Sequence, residues 1–165
     1  MKILKKIILL ILMMTLGLFA SDSKWSFTVD DIYTMTDSEK EIFSMAREIG
    51  YANGLGDALV LIAAVETRYG KFKSKTNNHC GVMQISTKWS RVNCTALRDN
   101  LYLNMMLATQ NLKHWLKVHN GNIDKALVSY NGGYGYNPHG KEYLRRISQV
   151  KYAIRIVEKN GDRIT

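Results

Sequence analysis

The chain is short of the residues that most chemistry announces itself with. Its 165 residues include one proline, Pro138, and two cysteines, Cys80 and Cys94. With two cysteines and no CxxC, neither a multi-thiolate zinc site nor a disulfide-dense miniprotein is available. The four histidines, His79, His114, His119 and His139, show no HExxH or comparable spacing. His114 and His119 are five apart and miss the shared i, i+4 face, so each reads as a surface or hydrogen-bonding side chain. No metal and no cofactor is expected. GxSxG is absent, and Gly133-Tyr134-Gly135 lacks the third glycine of a phosphate-binding loop. The adjacent pair His79-Cys80 has the wrong geometry for a thiol nucleophile and its base. There is no sustained period-two alternation, no internal repeat and no low-complexity segment.

Long apolar runs are also missing, except at the start. Lys2, Lys5 and Lys6 precede the apolar stretch from Ile7 to Leu18, and Phe19-Ala20 stands before Ser21. This reads as a cleaved secretory signal over residues 1–20, too short for a stable membrane anchor. All 14 acids and 20 of the 23 Lys and Arg lie after it, which leaves the mature chain at +6. A basic exported protein suits an anionic partner. Charge alone does not separate nucleic acid, membrane and acidic wall polymer, and no nucleic-acid motif is present. In an oxidising compartment Cys80 and Cys94 are expected to pair, closing a loop of about 15 residues worth roughly 3 kcal/mol.

What is present is helical. Residues 21–35 read as an irregular lead-in, and 36–165 as one domain. Thr36-Asp37-Ser38-Glu39 is a capping box, followed by Ile42, Phe43, Ala46 and Ile49 at helical spacing. Gly54-Leu55-Gly56 ends that helix, and Asp57 is placed to cap the next, which contains Ala58 to Val65. Residues 71–98 hold no carboxylate and read as a long excursion. A helix from about Asn100 to Val118 has Leu103, Met106, Leu107, Leu112, Trp115 and Leu116 as its apolar face. A shorter helix runs from Ile123 to Tyr130, with a turn from Asn131 to Gly135. The last runs from Lys141 to about Lys159, with Tyr143, Leu144, Ile147, Val150, Ile154 and Val157 at helical spacing. The fold class is mainly α.

One residue does not fit its surroundings. Glu66 follows the apolar run Ala58 to Val65 and shares a helical face with Leu59, Ile62 and Ala63. An ionised carboxylate on such a face is costly. Either Glu66 turns outward to pair with Arg68 or a lysine, or it is held protonated by desolvation and by the negative end of the helix dipole. In the second case it is a candidate general acid, suited to glycosidic-bond cleavage. The usual second carboxylate is hard to place. Asp57 lies at the far end of the same helix, and Asp99, Asp124 and Glu142 can approach only through tertiary folding.

Three further segments recur in order after Glu66-Thr67: Gly81-Val82-Met83-Gln84, Ser129-Tyr130-Asn131-Gly132-Gly133-Tyr134-Gly135, and Glu142-Tyr143-Leu144-Arg145. Together they resemble the motifs of the soluble lytic transglycosylase family, over about residues 40–157. Thr67, Val82, Ser129 and Gly132 depart mildly from that family's pattern. The resemblance implies a lysozyme-like fold related to goose-type lysozyme, and peptidoglycan glycan strands as substrate. It implies Glu66 as acid and then base, cleaving between N-acetylmuramic acid and N-acetylglucosamine to leave a 1,6-anhydro end without water. Gln84 and Asn131 would hydrogen-bond the sugars, Tyr130 and Tyr143 would position Glu66 or sugar, Met83 would line the cleft, and Gly81 and Gly133 would shape it. Ordinary helix packing is the alternative for the two tyrosines. The resemblance further implies a periplasmic or secreted protein, with a secretion or pilus apparatus as the kind of partner such enzymes serve. A lysozyme-type hydrolase and a non-catalytic wall-binding module remain alternatives.

Overall fold

The computed structural model describes residues 25–72, 76–134 and 137–164. The signal reading of residues 1–20 lies outside the described residues. Those residues form eight helices and one two-stranded ladder. The helices are α1 Val29–Tyr33, α2 Asp37–Ala52, α3 Ala58–Thr67, α4 Thr87–Ser90, α5 Cys94–Asp99, α6 Leu101–Val118, α7 Ile123–Gly132 and α8 Gly140–Lys159. The strands are β1 His79–Cys80 and β2 Ile85–Ser86, antiparallel with His79 opposite Ser86 and Cys80 opposite Ile85. The fold is mainly α, as the periodicity predicts.

The core is built around α3. Residues 58–65 are all buried, and a helix apolar on every side has to lie inside. It packs against α2, α6 and α8. From α2 come Ile42, Phe43, Ala46 and Ile49, and from α8 come Tyr143, Ile147, Val150, Ile154 and Val157. The capping box at the start of α2 is formed: Thr36 N donates to Glu39 Oε2 at 2.7 Å, and Glu39 N to Thr36 Oγ1 at 3.3 Å. Asp57 precedes α3 but makes no capping bond. It accepts from Arg47 Nε at 3.0 Å instead, and Arg47 also reaches Glu158 at 2.7 Å, so a stronger ionic partner draws the carboxylate from the helix end.

The backbone at the end of α3 is unusual. Arg68, Tyr69 and Gly70 have φ of 48°, 55° and 87°, three left-handed residues in a row, two of them not glycine. Packing and ion pairing hold them there. The Tyr69 ring is buried edge-on to Phe27 and Phe43. Arg68 donates to Asp31 Oδ1 at 2.5 Å and to the Ser26 carbonyl, and lies over the rings of Trp25, Phe27 and Phe72.

These contacts correct the reading of residues 21–35 as irregular. From Val29 to Tyr33 they form α1, entered through a Thr28–Asp31 capping pair, and Phe27, Ile32 and Met35 join the core. Within the excursion at 71–98, residues 76–98 are also more ordered than expected. They contain the ladder and two short helices, capped by Ser86 and Asn93, whose side chains accept from Trp89 N and Ala96 N. Elements of two to six residues are too short to show a period. On α6 the buried residues are Asn104, Met105, Ala108, Thr109, Leu112 and Trp115. Leu103, Met106, Leu107 and Leu116 are half-buried at its flanks, because a polar residue, Asn104, is drawn inward. α7 continues past Tyr130 to Gly132, so the following turn begins at Gly133, whose N–H closes onto Ser129 O at 2.7 Å.

Cys80 and Cys94 are bonded, with Cα atoms 5.4 Å apart, tying β1 to α5. Replacing both by serine is expected to lower stability by about 3 kcal/mol. The urea midpoints of the double variant and the oxidised wild type measure this.

Candidate active site

Glu66 lies in the last turn of α3, and its side chain turns toward α7 and α8. Tyr143 Oη on α8 donates to Glu66 Oε1 at 2.9 Å, and the Asn131 amide on α7 stands close enough to act on the carboxyl. Arg68 does not pair with it, being committed to Asp31. The outward, ion-paired alternative is therefore not adopted. Burial raises the Glu66 pKa to about 7, against the opposing pull of Tyr143, Asn131 and the Arg146 charge. The Tyr143 and Tyr130 phenols are pushed well above their ordinary range, by burial first and by Glu66 second, so both remain hydrogen-bond donors.

Glu66 opens into a cleft of about 260 Å³, lined also by Thr76, His79, Gln84, Tyr130 and Asn131. No other carboxylate is among these residues. Asp99 lines a neighbouring hollow on the other side of the 81–84 turn, with Gly81, Gln84 and Arg98. Asp124 lies beside Asp57 and Ala58, at the opposite end of α3. That region holds a larger cavity of about 410 Å³, and two of its three acids, Asp57 and Glu158, are committed to Arg47. Glu142 is held by Arg145 and Arg146, which lower its pKa to about 2. Among the described residues no three His, Cys, Asp or Glu gather to hold a metal.

The floor beside Glu66 is the turn Gly81–Gln84, and it is held from three directions. Asn104, fully buried on α6, accepts from Met83 N at 2.8 Å and donates to Cys80 O at 3.0 Å. Thr67, next to Glu66, donates from Oγ1 to Val82 O at 2.9 Å and accepts from Gly70 N at 2.9 Å. Tyr130 Oη donates to Met83 O at 2.8 Å. Gly81 has φ +74°, and a Cβ there would stand 2.3 Å from Asn104 Nδ2 and 2.4 Å from Leu97 O. Gln84 is left-handed at φ 49°, with its Nε2 donating to Gly81 O at 2.8 Å.

The structure thus gathers Glu66, Gln84, Tyr130, Asn131 and Tyr143 into one place. It revises two assignments. Met83 does not line the cleft: its side chain is fully buried, and its backbone groups are what the site uses. Tyr130 braces the 81–84 turn rather than Glu66, although it still faces the cleft. Gly81 and Gly133 flank the cleft without lining it, and Gly135 lies outside the described residues. Asn104 was not anticipated. Its one sequence signal is position, since it shares a stripe with Ala108, Leu112 and Trp115, where an amide needs partners.

A family model described as the transglycosylase SLT domain matches residues 45–150. Comparison with curated proteins and with solved structures finds no match.

Proposed function

The chain belongs to the transglycosylase SLT domain family, and on that premise we propose that it is a peptidoglycan lytic transglycosylase with Glu66 as its single catalytic acid and base. The observation that carries this reading is the cleft itself. Its one carboxylate has a pKa raised to about 7, and among the described residues it faces no second acid that could hold water or a covalent sugar.

The reaction follows from that economy. Protonated Glu66 gives its proton to the glycosidic oxygen as the C1–O bond to N-acetylmuramic acid breaks, releasing the N-acetylglucosamine hydroxyl. The carbonyl oxygen of the muramyl N-acetyl group supports the cationic C1 from within the substrate. Glu66, now a carboxylate, accepts hydrogen bonds from Tyr143 and Asn131. It then takes the proton of the C6 hydroxyl as O6 bonds to C1, which closes the 1,6-anhydro ring and restores the acid. No water is consumed. Gln84 and Asn131 present amides to the sugars. Residues 1–20 act as the export signal, which places the enzyme in the periplasm or beyond. There it opens the wall locally for an envelope-spanning secretion or pilus apparatus.

Mass spectrometry of soluble products from purified peptidoglycan tests this. The mature chain is expected to release anhydro-muropeptides, and the Glu66→Gln variant none. Hydrated reducing ends would make it a lysozyme-type hydrolase. Wall binding without any product from wild type would make it a binding module.

A further inference from the structure

His79 has no part in the mechanism above, yet it stands in the cleft. Its position follows from the disulfide. Cys80 is fully buried because its sulfur is joined to Cys94 on α5. Successive residues of a strand point to opposite sides, so the commitment of Cys80 inward turns His79 outward. It emerges beside Glu66, Gln84, Tyr130 and Asn131.

Three observations say what it does there. First, among the described residues that line the cleft, His79 is the one nitrogen heterocycle, and it stands with Glu66, Gln84, Tyr130 and Asn131, where substrate would lie. Second, His79 is not spent on Glu66. The groups that act on the Glu66 carboxyl are Tyr143, Asn131 and Arg146. Third, the imidazole makes no hydrogen bond or ion pair with the other described residues. An imidazole N–H donor is left facing the cleft beside Glu66.

The sugars of a peptidoglycan strand are themselves neutral, and its negative charge sits on the carboxylates of its peptide branches. We propose that His79 is a specificity-determining residue that binds a peptide-branch carboxylate, so that the enzyme prefers charged strands over the same glycan without charge. This rests on the transglycosylase reading.

The test compares native soluble strands with strands whose peptide carboxylates have been converted to amides. His79→Ala and His79→Gln are expected to raise KM on native strands about five- to tenfold, the worth of one charge-assisted contact, with kcat little changed. Neither should alter KM on amidated strands, and His79→Arg should keep the native value. Equal changes on both substrates, or a His79→Gln protein that behaves as wild type, would overturn the proposal. Binding of Glu66→Gln protein to both strands, with and without His79→Ala, reads the same preference without turnover. A charge preference that depends on His79 in binding, with no anhydro product from wild type, would remove the transglycosylase reading and keep this one.

Discussion

Glu66→Gln is expected to lower the rate of anhydro-end formation by about a thousandfold or more, because in the proposed mechanism both proton transfers pass through this one carboxyl. The amide preserves the shape of the side chain, so Tyr143 and Asn131 keep a partner and the loss is chemical. The pH dependence has a definite sign. The proposed reaction starts from protonated Glu66, so the activity attributable to this group is expected to fall as pH rises through about 7. Stability moves in the same direction. The folded pKa of about 7 exceeds the ordinary 4.5, so the native state binds the proton more tightly than the unfolded chain. Between those two values each rise in pH removes part of that preference, to a limit on the order of 3 kcal/mol. The real figure is smaller, because Glu66 is only half-buried and part of the carboxyl meets the cleft. Glutamine does not titrate. Melting of both proteins at pH 5 and pH 8 should therefore show wild type losing stability relative to the variant at the higher pH. An equal change in both would mean that Glu66 ionises at its ordinary pKa.

Asn104→Ala is expected to be the most damaging single change outside the proposed catalytic acid. It leaves Met83 N–H buried without a partner and takes the side-chain donor from Cys80 C=O, which keeps its ladder pairing with Ile85, for a total of about 1–3 kcal/mol. A loss of that size is large against a domain's total but does not abolish folding, and corresponds to a melting temperature lower by up to roughly 10 °C. Activity should fall further than stability, because the 81–84 turn carries Gln84 and receives the Tyr130 hydroxyl. Thr109→Val provides the comparison. Thr109 is also buried on α6, but its hydroxyl bonds only to Met105 O within the same helix, at 2.9 Å. It should cost less than about 1 kcal/mol and leave activity near wild type. Thermal melting and product release on the three proteins decide the matter. If the two variants behave alike, Asn104 is filling space rather than holding the turn.

The residues that were legible in the sequence conflict with, or punctuate, their local pattern. Glu66 stood out because an acid ended an apolar run. The Thr36–Glu39 box marked its helix by residue type alone, and the cysteine pair needed only the export signal to suggest a bond. Asn131 and Tyr143 came from motif resemblance, and both reach Glu66. Other features depended on contacts that no local pattern carries. Met83 looked like a cleft residue because it is apolar and sits in a motif, but an apolar side chain beside a site is as well satisfied in the core beneath it. Asn104 bonds backbone groups 21 and 24 residues earlier, and nothing in Leu103-Asn104-Met105 announces them. On α6 the expected apolar face meets the core, with Leu112 and Trp115 buried and Met106, Leu107 and Leu116 packed against it, while the Asn104 amide takes a central place that periodicity does not mark. Asp57 was assigned to a helix end because the rule for caps is local, while Arg47, ten residues away, competes for it.

The anchoring of Arg68 to Asp31 and Ser26 also bears on where the working unit begins. The family pattern starts at residue 45, well after both partners, and ends at 150, before Glu158 and its tie to Arg47. An excised or grafted catalytic segment drawn to the pattern's limits would contain every residue of the cleft. It would lack the brace that keeps the backbone behind Glu66 left-handed, and one end of the ionic tie between α2 and α8. Sequence similarity here outlines the chemistry. The scaffold that holds the cleft is longer than the matched range.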